Sequence, residues 1–364
     1  MDRRSFIKKA GLAGAGAAAA TTLATPAISQ NTQDMVIVST WPRDFPGLGL
    51  PAQRLAARIA ELTDGRFNVQ YFAAGERVGA FDSFDEVASG NAQAYIGADY
   101  YWIGKHAGWA AFTAIPFGLT YTEIDAWTKY GGGQELWDEL AGEFGLKNFA
   151  CGNTGVQMGG WFNKEINSAD DLKGLKMRIP GQGGQVLTKL GASTVSLPGG
   201  QIYENLVSGA IDATEWVGPY NDYFLKFYEA AKFYYWPGMH EPGAQIAFGM
   251  NKSWWEGLSA TDQAIIQAAC NEENARTMAE TNNFNGEYLQ RLINDHGVEL
   301  KEFNDDVYAA FGSAASEVLE ESKAHSDLAA RIMTSVEEAR ASIGAWTSIS
   351  DMAYVQRRNK ALGI

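Results

Sequence analysis

Strands and helices alternate along this chain, which places it in the α/β class as two lobes of α/β units with a helical C-terminal tail. Three observations carry the assignment. Short apolar runs recur between segments of helical period, the alternation restarts near residue 151, and beyond Ser259 the pattern is almost wholly helical. The length agrees, since 364 residues at roughly 150 per domain make about two domains.

The elements follow in order. Val36 to Ser39 is a buried strand, and Pro51 to Leu62 repeats apolar residues at helical spacing until Asp64-Gly65 stops it. Phe67 to Phe72 alternates as a strand, Phe81 to Ala88 is a short helix closed by Gly90, and Ala94 to Gly97 is a strand. Thr120 to Tyr130 and Gln134 to Phe144 are helical, broken by Gly131 to Gly133, and Lys147 to Cys151 returns to strand. The second cycle opens with the strand Trp161-Phe162 and a helix at Ser168 to Lys173, where Ser168 and Asp171 form a capping box. Then come the strand Leu175 to Ile179, helices at Gly184 to Leu190 and Ile202 to Ser208, and strands at Ile211 to Trp216, Phe233 to Trp236 and Ile246 to Met250. One strand, Val298 to Phe303, interrupts the helical C-terminal part.

The composition fits a folded chain, with 46% hydrophobic and 20% charged residues. Its net charge is −14, and the first 29 residues contribute +3, so their removal leaves −17. Such an acidic surface repels phosphate backbones and anionic headgroups, which argues against nucleic-acid and peripheral membrane binding. A small anionic ligand then needs a locally placed cation.

Arg3-Arg4-Ser5-Phe6-Ile7-Lys8-Lys9, a short Ala/Gly-rich apolar run from Ala10 to Leu23, and small residues at Ala27 and Ser29 have the layout of an export leader cut near Ser29. The paired arginines resemble a twin-arginine signal. The run is too short to span a roughly 30 Å hydrocarbon core well, so the mature chain is expected in the periplasm, without membrane insertion. Two cysteines, Cys151 and Cys270, exclude a disulfide framework and read as buried free thiols. The four histidines stand singly, without the spacing of a zinc site.

Three segments mix polar groups with glycine and aromatic residues, as a closed pocket does. In Gly152 to Phe162, Asn153 and Gln157 offer amide donors and acceptors, or else form turns. In Gly174 to Gly181, Lys176 and Arg178 share a strand face. Arg178 near the strand's C-terminal end faces the crevice where α/β folds bind ligands, and its planar fork matches a carboxylate. In Ile211 to Tyr220, Glu215 is acidic within a stretch destined for burial and needs a partner, either Arg178 or a metal. Gly181-Gln182-Gly183-Gly184 lacks the lysine and hydroxyl of a phosphate loop.

In order and wording these segments resemble the solute-binding subunits of tripartite ATP-independent periplasmic (TRAP) transporters, DctP-type periplasmic binding proteins, and within them the subgroup that binds small 2-oxo or 2-hydroxy monocarboxylates such as pyruvate or lactate. The resemblance takes in Ser39-Thr40-Trp41-Pro42, Phe72 to Glu76, Ala98 to Tyr101, Pro116 to Leu119, Gly152 to Phe162, Asp171 to Ile179 and Ile211 to Tyr220. It implies two lobes that close over the ligand, residues 30–151 completed by about 240–290 and residues 152–239 completed by about 291–310, with a tail at 311–364. It also implies that Arg178 clamps the substrate carboxylate, and that Asn153 and Tyr100 or Tyr101 touch substrate. A sodium or calcium ion co-bound with the acid would take the Gln157 side chain, the Glu215 carboxylate and the Trp216 carbonyl, with a further acid near Glu241, so Gln157 and Glu215 also face substrate. The implied partners are membrane permease subunits, and exchange of tails between protomers would give a homodimer.

The competing readings are an exported hydrolase or lyase with Glu215 as base, and a structural interaction protein. The first needs a His or Ser within reach of Glu215, which the neighbouring sequence does not offer.

Overall fold

A computed structural model describes residues 32–364, so the leader expected at 1–29 lies outside the described residues. The first sheet starts at β1 (Gln33–Ser39), where Met35, Ile37 and Val38 are buried. The amphipathic helix α1 (Gly49–Leu62) lays Ala52, Leu55, Ala56 and Ile59 on that sheet and leads to β2 (Phe67–Phe72). α2 (Ser83–Ala88) leads to β3 (Ala94–Gly97), and both neighbours of β1 are parallel to it, as helical crossovers require. α3 (Tyr121–Tyr130) and α4 (Gly133–Glu143) are separated at Gly132, whose φ of +83° is the left-handed conformation that side chains resist. β4 (Leu146–Asn153) closes the first run.

The second sheet is built from β5 (Gly160–Phe162), β6 (Lys176–Arg178), α5 (Gly181–Lys189), β7 (Ser193–Val195), α6 (Gly199–Val207), β8 (Ala213–Thr214), α7 (Pro219–Leu225) and β9 (Phe233–Trp236). The chain then returns through β10 (Gln245–Asn251) and α8 (Lys252–Glu256) and runs the length of α9 (Ala260–His296). It ends with β11 (Glu299–Glu302), α10 (Asp305–Lys323), α11 (Asp327–Ile349) and α12 (Asp351–Leu362). The sheet orders are β2-β1-β3-β10-β4 and β11-β9-β5-β8-β6-β7. The expected α/β architecture with a helical C-terminal region is therefore present, and no described helix is long and apolar enough to cross a membrane.

The chain passes between the sheets more than once. It leaves the first after β4, comes back between β9 and β10, and leaves again along α9 to β11. At 37 residues and about 1.5 Å per residue, α9 is roughly 55 Å long and spans both bodies. It packs on β4 near its start and on α7 further along. α10 buries Phe311, Ala315 and Val318 in the second body's core, whereas α11 buries Ile332, Met333 and Val336 in the first. α12 buries nothing.

Differences from the sequence reading are local. Residues 169–172 form a single 3-10 turn, though the Ser168–Asp171 capping box is there. The strand expected over Ile211 to Trp216 shrinks to Ala213–Thr214, because the chain from Glu215 turns out of the sheet into a cavity wall. β7 was not foreseen, since its Ser193-Thr194-Val195 edge has no buried face. Cys151 and Cys270 are free and buried.

Candidate functional site

The two crossings after β4 and before β10 run side by side. Thr154 N–H donates to the Ala244 carbonyl at 3.0 Å, Gln157 N–H to Glu241 at 3.0 Å, and Gly238 N–H to Gln157 at 2.9 Å. This paired link forms one wall of a small cavity through Thr154, Gln157 and Glu241. The first body adds Trp41, Leu48, Tyr100 and Tyr101, and the second adds Arg178 and Trp216. Each contributes from an element end, Tyr100 and Tyr101 from a 3-10 turn after β3, and Arg178 as the last residue of β6. That is the crevice position an α/β sheet provides for ligands.

Arg178 and Glu215 are 1% and 0% exposed and form a direct ion pair through Nη1 and Oε1. Arg178 Nη1 also reaches the Glu215 carbonyl at 3.2 Å, and Nε donates to the Leu197 carbonyl at 3.0 Å. The Trp216 ring lies 5.0 Å from the guanidinium carbon. Nη2 is buried without a partner. A buried cationic N–H without an acceptor is costly, so this fork has an unfilled position for a carboxylate oxygen. Burial works against the arginine's charge, but Glu215 and the neighbouring tyrosines raise its pKa overall.

Gln157 Nε2 donates to Thr154 Oγ1 at 3.0 Å and to Glu241 Oε2 at 2.7 Å, which leaves Oε1 buried and unpaired. His240 Nε2 lies 3.2 Å from Glu215 Oε2, and Glu215, His240 and Glu241 offer ligand atoms within 4.8 Å of one another. Burial and the charge of Glu215 push Glu241 up to about 8, against His240, Tyr100 and Arg178. Burial disfavours the charged form of His240, but the hydrogen bond and charge of Glu215 raise its pKa.

The structure thus lines one cavity with Tyr100, Tyr101, Gln157, Arg178, Trp216 and Glu241, and Glu215 joins them through its ion pair with Arg178 and not as a lining residue. Trp216 is a lining residue, with its ring over the Arg178 guanidinium. Asn153 is not among the lining residues. Its Nδ2 donates to the Gly243 carbonyl at 3.2 Å and its Oδ1 accepts from Gly155 N–H at 2.9 Å, so its amide ties the crossing strands together. The expectation that no histidine reaches Glu215 is corrected by His240, which comes from 25 residues away on the returning crossing. Lys176, expected on the face of Arg178, is exposed and lies by Asp212. Trp41 and Thr154 are lining residues that the sequence reading did not single out as ligand contacts. Thr154 sits inside the Gly152 to Phe162 segment, which was a usable signal, whereas no motif marked Trp41 as facing a ligand.

Residues 38–325 match the family model DctP, bacterial extracellular solute-binding protein, family 7. A monocarboxylate 2-oxoacid-binding periplasmic protein of Nostoc sp. is 39% identical over 318 residues, 87% of each chain. A TRAP periplasmic solute-binding protein of Colwellia psychrerythraea, solved with bound calcium and pyruvate, is 38% identical and superposes with a TM-score of 0.87 over 90% of this chain and 99% of its own. One from Bordetella bronchiseptica, a mixed-occupancy dimer with calcium and picolinate, is 34% identical with a TM-score of 0.89, covering 91% and 98%. The chain therefore belongs to the DctP family of TRAP transporter solute-binding proteins, periplasmic receptors rather than enzymes.

Proposed function

We propose that this receptor captures a small 2-oxo or 2-hydroxy monocarboxylate together with sodium or calcium and presents it to its membrane permease subunits. The observation that carries the ligand class is the unpaired, buried Nη2 of Arg178 in a cavity walled by Trp216 and Tyr100. That cavity accepts one carboxylate on the arginine fork and has room for little more than a short acid. Relatives support the choice, since the Nostoc protein is named for 2-oxoacids and the Colwellia and Pseudoalteromonas atlantica structures hold pyruvate with calcium and sodium.

The donor set fits a hard cation. Gln157 Oε1 is an orphaned buried amide oxygen, its Nε2 is bonded to Glu241, and the carboxylates of Glu241 and Glu215 offer oxygens within 4.8 Å of each other and of a His240 ring nitrogen. Gln157, Glu215 and Glu241, with the Trp216 carbonyl, would hold the ion, which would supply positive charge to the acid's oxygens. Arg178 clamps the carboxylate, Tyr100 and Tyr101 cover it from the first body, and Asn153 acts by holding the crossing strands.

In this reading the lobes follow the sheets, 30–151 with 240–290 and 152–239 with 291–310, and the tail 311–364 bridges them. Closure brings Tyr100 toward Arg178, and Gln157 and Glu241 sit on the strands that must bend, so filling the cavity favours the closed form. Export by the twin-arginine leader delivers the chain to the periplasm. The exposed apolar side chains Trp346, Met352 and Tyr354 support a homodimer through the tail. A calorimetric screen of pyruvate, lactate and other short 2-oxo and 2-hydroxy monocarboxylates in sodium, calcium or chelator tests the proposal. Saturable heat with at least one acid, dependent on the cation, is expected, and absence of heat with all of them would overturn it.

A further inference from the structure

Each body has a buried carboxylate beside the segment it contributes to the cavity. Asp99, 0% exposed, accepts from Tyr95 Oη at 2.8 Å, Trp137 Nε1 at 2.8 Å and Asn148 Nδ2 at 3.0 Å. Asp222, 1% exposed, accepts through Oδ2 from Trp161 Nε1 at 2.9 Å and Tyr234 Oη at 2.7 Å. The two networks share a tryptophan and a tyrosine donor but differ in one respect. Those bonds of Asp99 all come from side chains, whereas Asp222 Oδ1 also accepts the backbone N–H groups of Val217 and Gly218, each at 3.1 Å.

Those two amides directly follow Glu215 and Trp216. Between β8 and α7 the Glu215 N–H donates to the Arg178 carbonyl at 3.2 Å and the Gly218 carbonyl accepts from Asp222 N–H at 2.9 Å, but the Val217 and Gly218 N–H groups have the Asp222 carboxylate in place of a ladder partner. Pro219, first residue of α7, has no N–H to offer. On its other side, the Val217 carbonyl accepts from Met158 N–H at 3.0 Å, next to Gln157 on the crossing strand. Val217 is therefore held between Asp222 and the strand that carries Gln157. Rigid support of this kind decides whether a binding group is held within a fraction of an ångström of its working position.

We infer that Asp222 is a positioning residue for the ligand site: through Val217 and Gly218 it sets the place of Glu215 and Trp216 against Arg178 and Gln157. The inference rests on the ligand reading above for its affinity arm only.

The test compares Asp222→Asn, Asp99→Asn and Tyr234→Phe in the full-length mature chain. An asparagine at 222 cannot accept on both ends, so either the indole of Trp161 or the Val217–Gly218 amides lose an acceptor. Pyruvate titrated in saturating calcium should bind Asp222→Asn at least tenfold more weakly than the parent. Asp99→Asn, an equally buried change, should stay within threefold even if it melts earlier. Tyr234→Phe removes one donor from Oδ2 and spares Oδ1, so it should also stay within threefold, and it tests the idea should Asp222→Asn fail to fold. In the ligand-free proteins, amide exchange at Val217, Gly218 and Met158 should speed up in Asp222→Asn alone. A tenfold affinity loss in Asp222→Asn with parent-like exchange at those amides, equal affinity losses in Asp222→Asn and Asp99→Asn, or a tenfold loss in Tyr234→Phe would each overturn the assignment. If no acid binds the parent, the ligand reading fails while the exchange result still decides the role of Asp222.

Discussion

Arg178→Lys is the sharpest probe of the cavity, because it keeps the charge and removes the fork. In the arginine, Nη1 meets Glu215, Nε meets the Leu197 carbonyl, and Nη2 is left over for a ligand. A lysine ammonium can still face Glu215, but from that position it cannot also reach Leu197 and a carboxylate oxygen of the ligand. The ligand then loses one charge-assisted hydrogen bond, worth about 1.5–3 kcal/mol. At about 1.4 kcal/mol per factor of ten, affinity should fall roughly 10- to 150-fold. The ligand-free protein loses the guanidinium's charge-assisted bonds to the carbonyls of Leu197 and Glu215, about 1.5–3 kcal/mol each, and should unfold at lower urea than the parent. Calorimetric titration with pyruvate at fixed calcium reads the first effect and urea unfolding the second. Pyruvate affinity within threefold of the parent would show that the fork does not hold the acid.

Two further outcomes follow from groups away from Arg178. Burial pushes Asp99 from 3.8 up to about 7, against its hydrogen bonds from Tyr95, Trp137 and Asn148. The folded chain therefore binds more protons than the unfolded one between about pH 4 and 7, so this contribution to stability is present at low pH and lost as pH rises through 7. Urea unfolding at pH 5 and pH 8 should show a smaller difference in Asp99→Asn than in the parent, and equal differences would refute the shift. Deleting residues 351–364, which form α12 and expose Met352 and Tyr354, should convert a dimer to a monomer in size exclusion with light scattering. An unchanged mass would place any interface elsewhere.

Periodicity made the elements with one buried face legible. β1, α1 and β9 alternate or repeat cleanly and appear where expected, while β7 and α7 carry no such pattern. Arg178, Gln157 and Glu215 stood out because polar groups in apolar or glycine-rich runs need partners. His240 did not, because its role depends on the returning crossing lying beside the segment after β8, a contact between residues 25 apart that local spacing does not encode. Asp222 was hidden for another reason. Its position four residues after Gly218 looks like an ordinary helix start, and only the structure shows its carboxylate accepting from four donors.

The charge of the cavity leads to the last prediction. In a chain with a net charge of −14, one buried arginine looks like the counter-charge for an anionic ligand. Yet Arg178 is already matched by Glu215, and Glu241 stands beside that pair. A desolvated carboxylate entering such a cavity brings a charge that only His240, whose pKa is raised against burial by Glu215, is there to offset, and an uncompensated buried ion costs several kcal/mol. Removing the charge of Glu215 should free Arg178 to balance the acid alone. In the parent, pyruvate affinity should therefore drop steeply when calcium is replaced by chelator in sodium-free buffer, whereas in Glu215→Gln the two conditions should converge. A parent-like gap in Glu215→Gln would mean that Glu215 is not what makes the acid depend on the cation, and no gap in the parent would mean that the acid and the cation do not meet in this cavity.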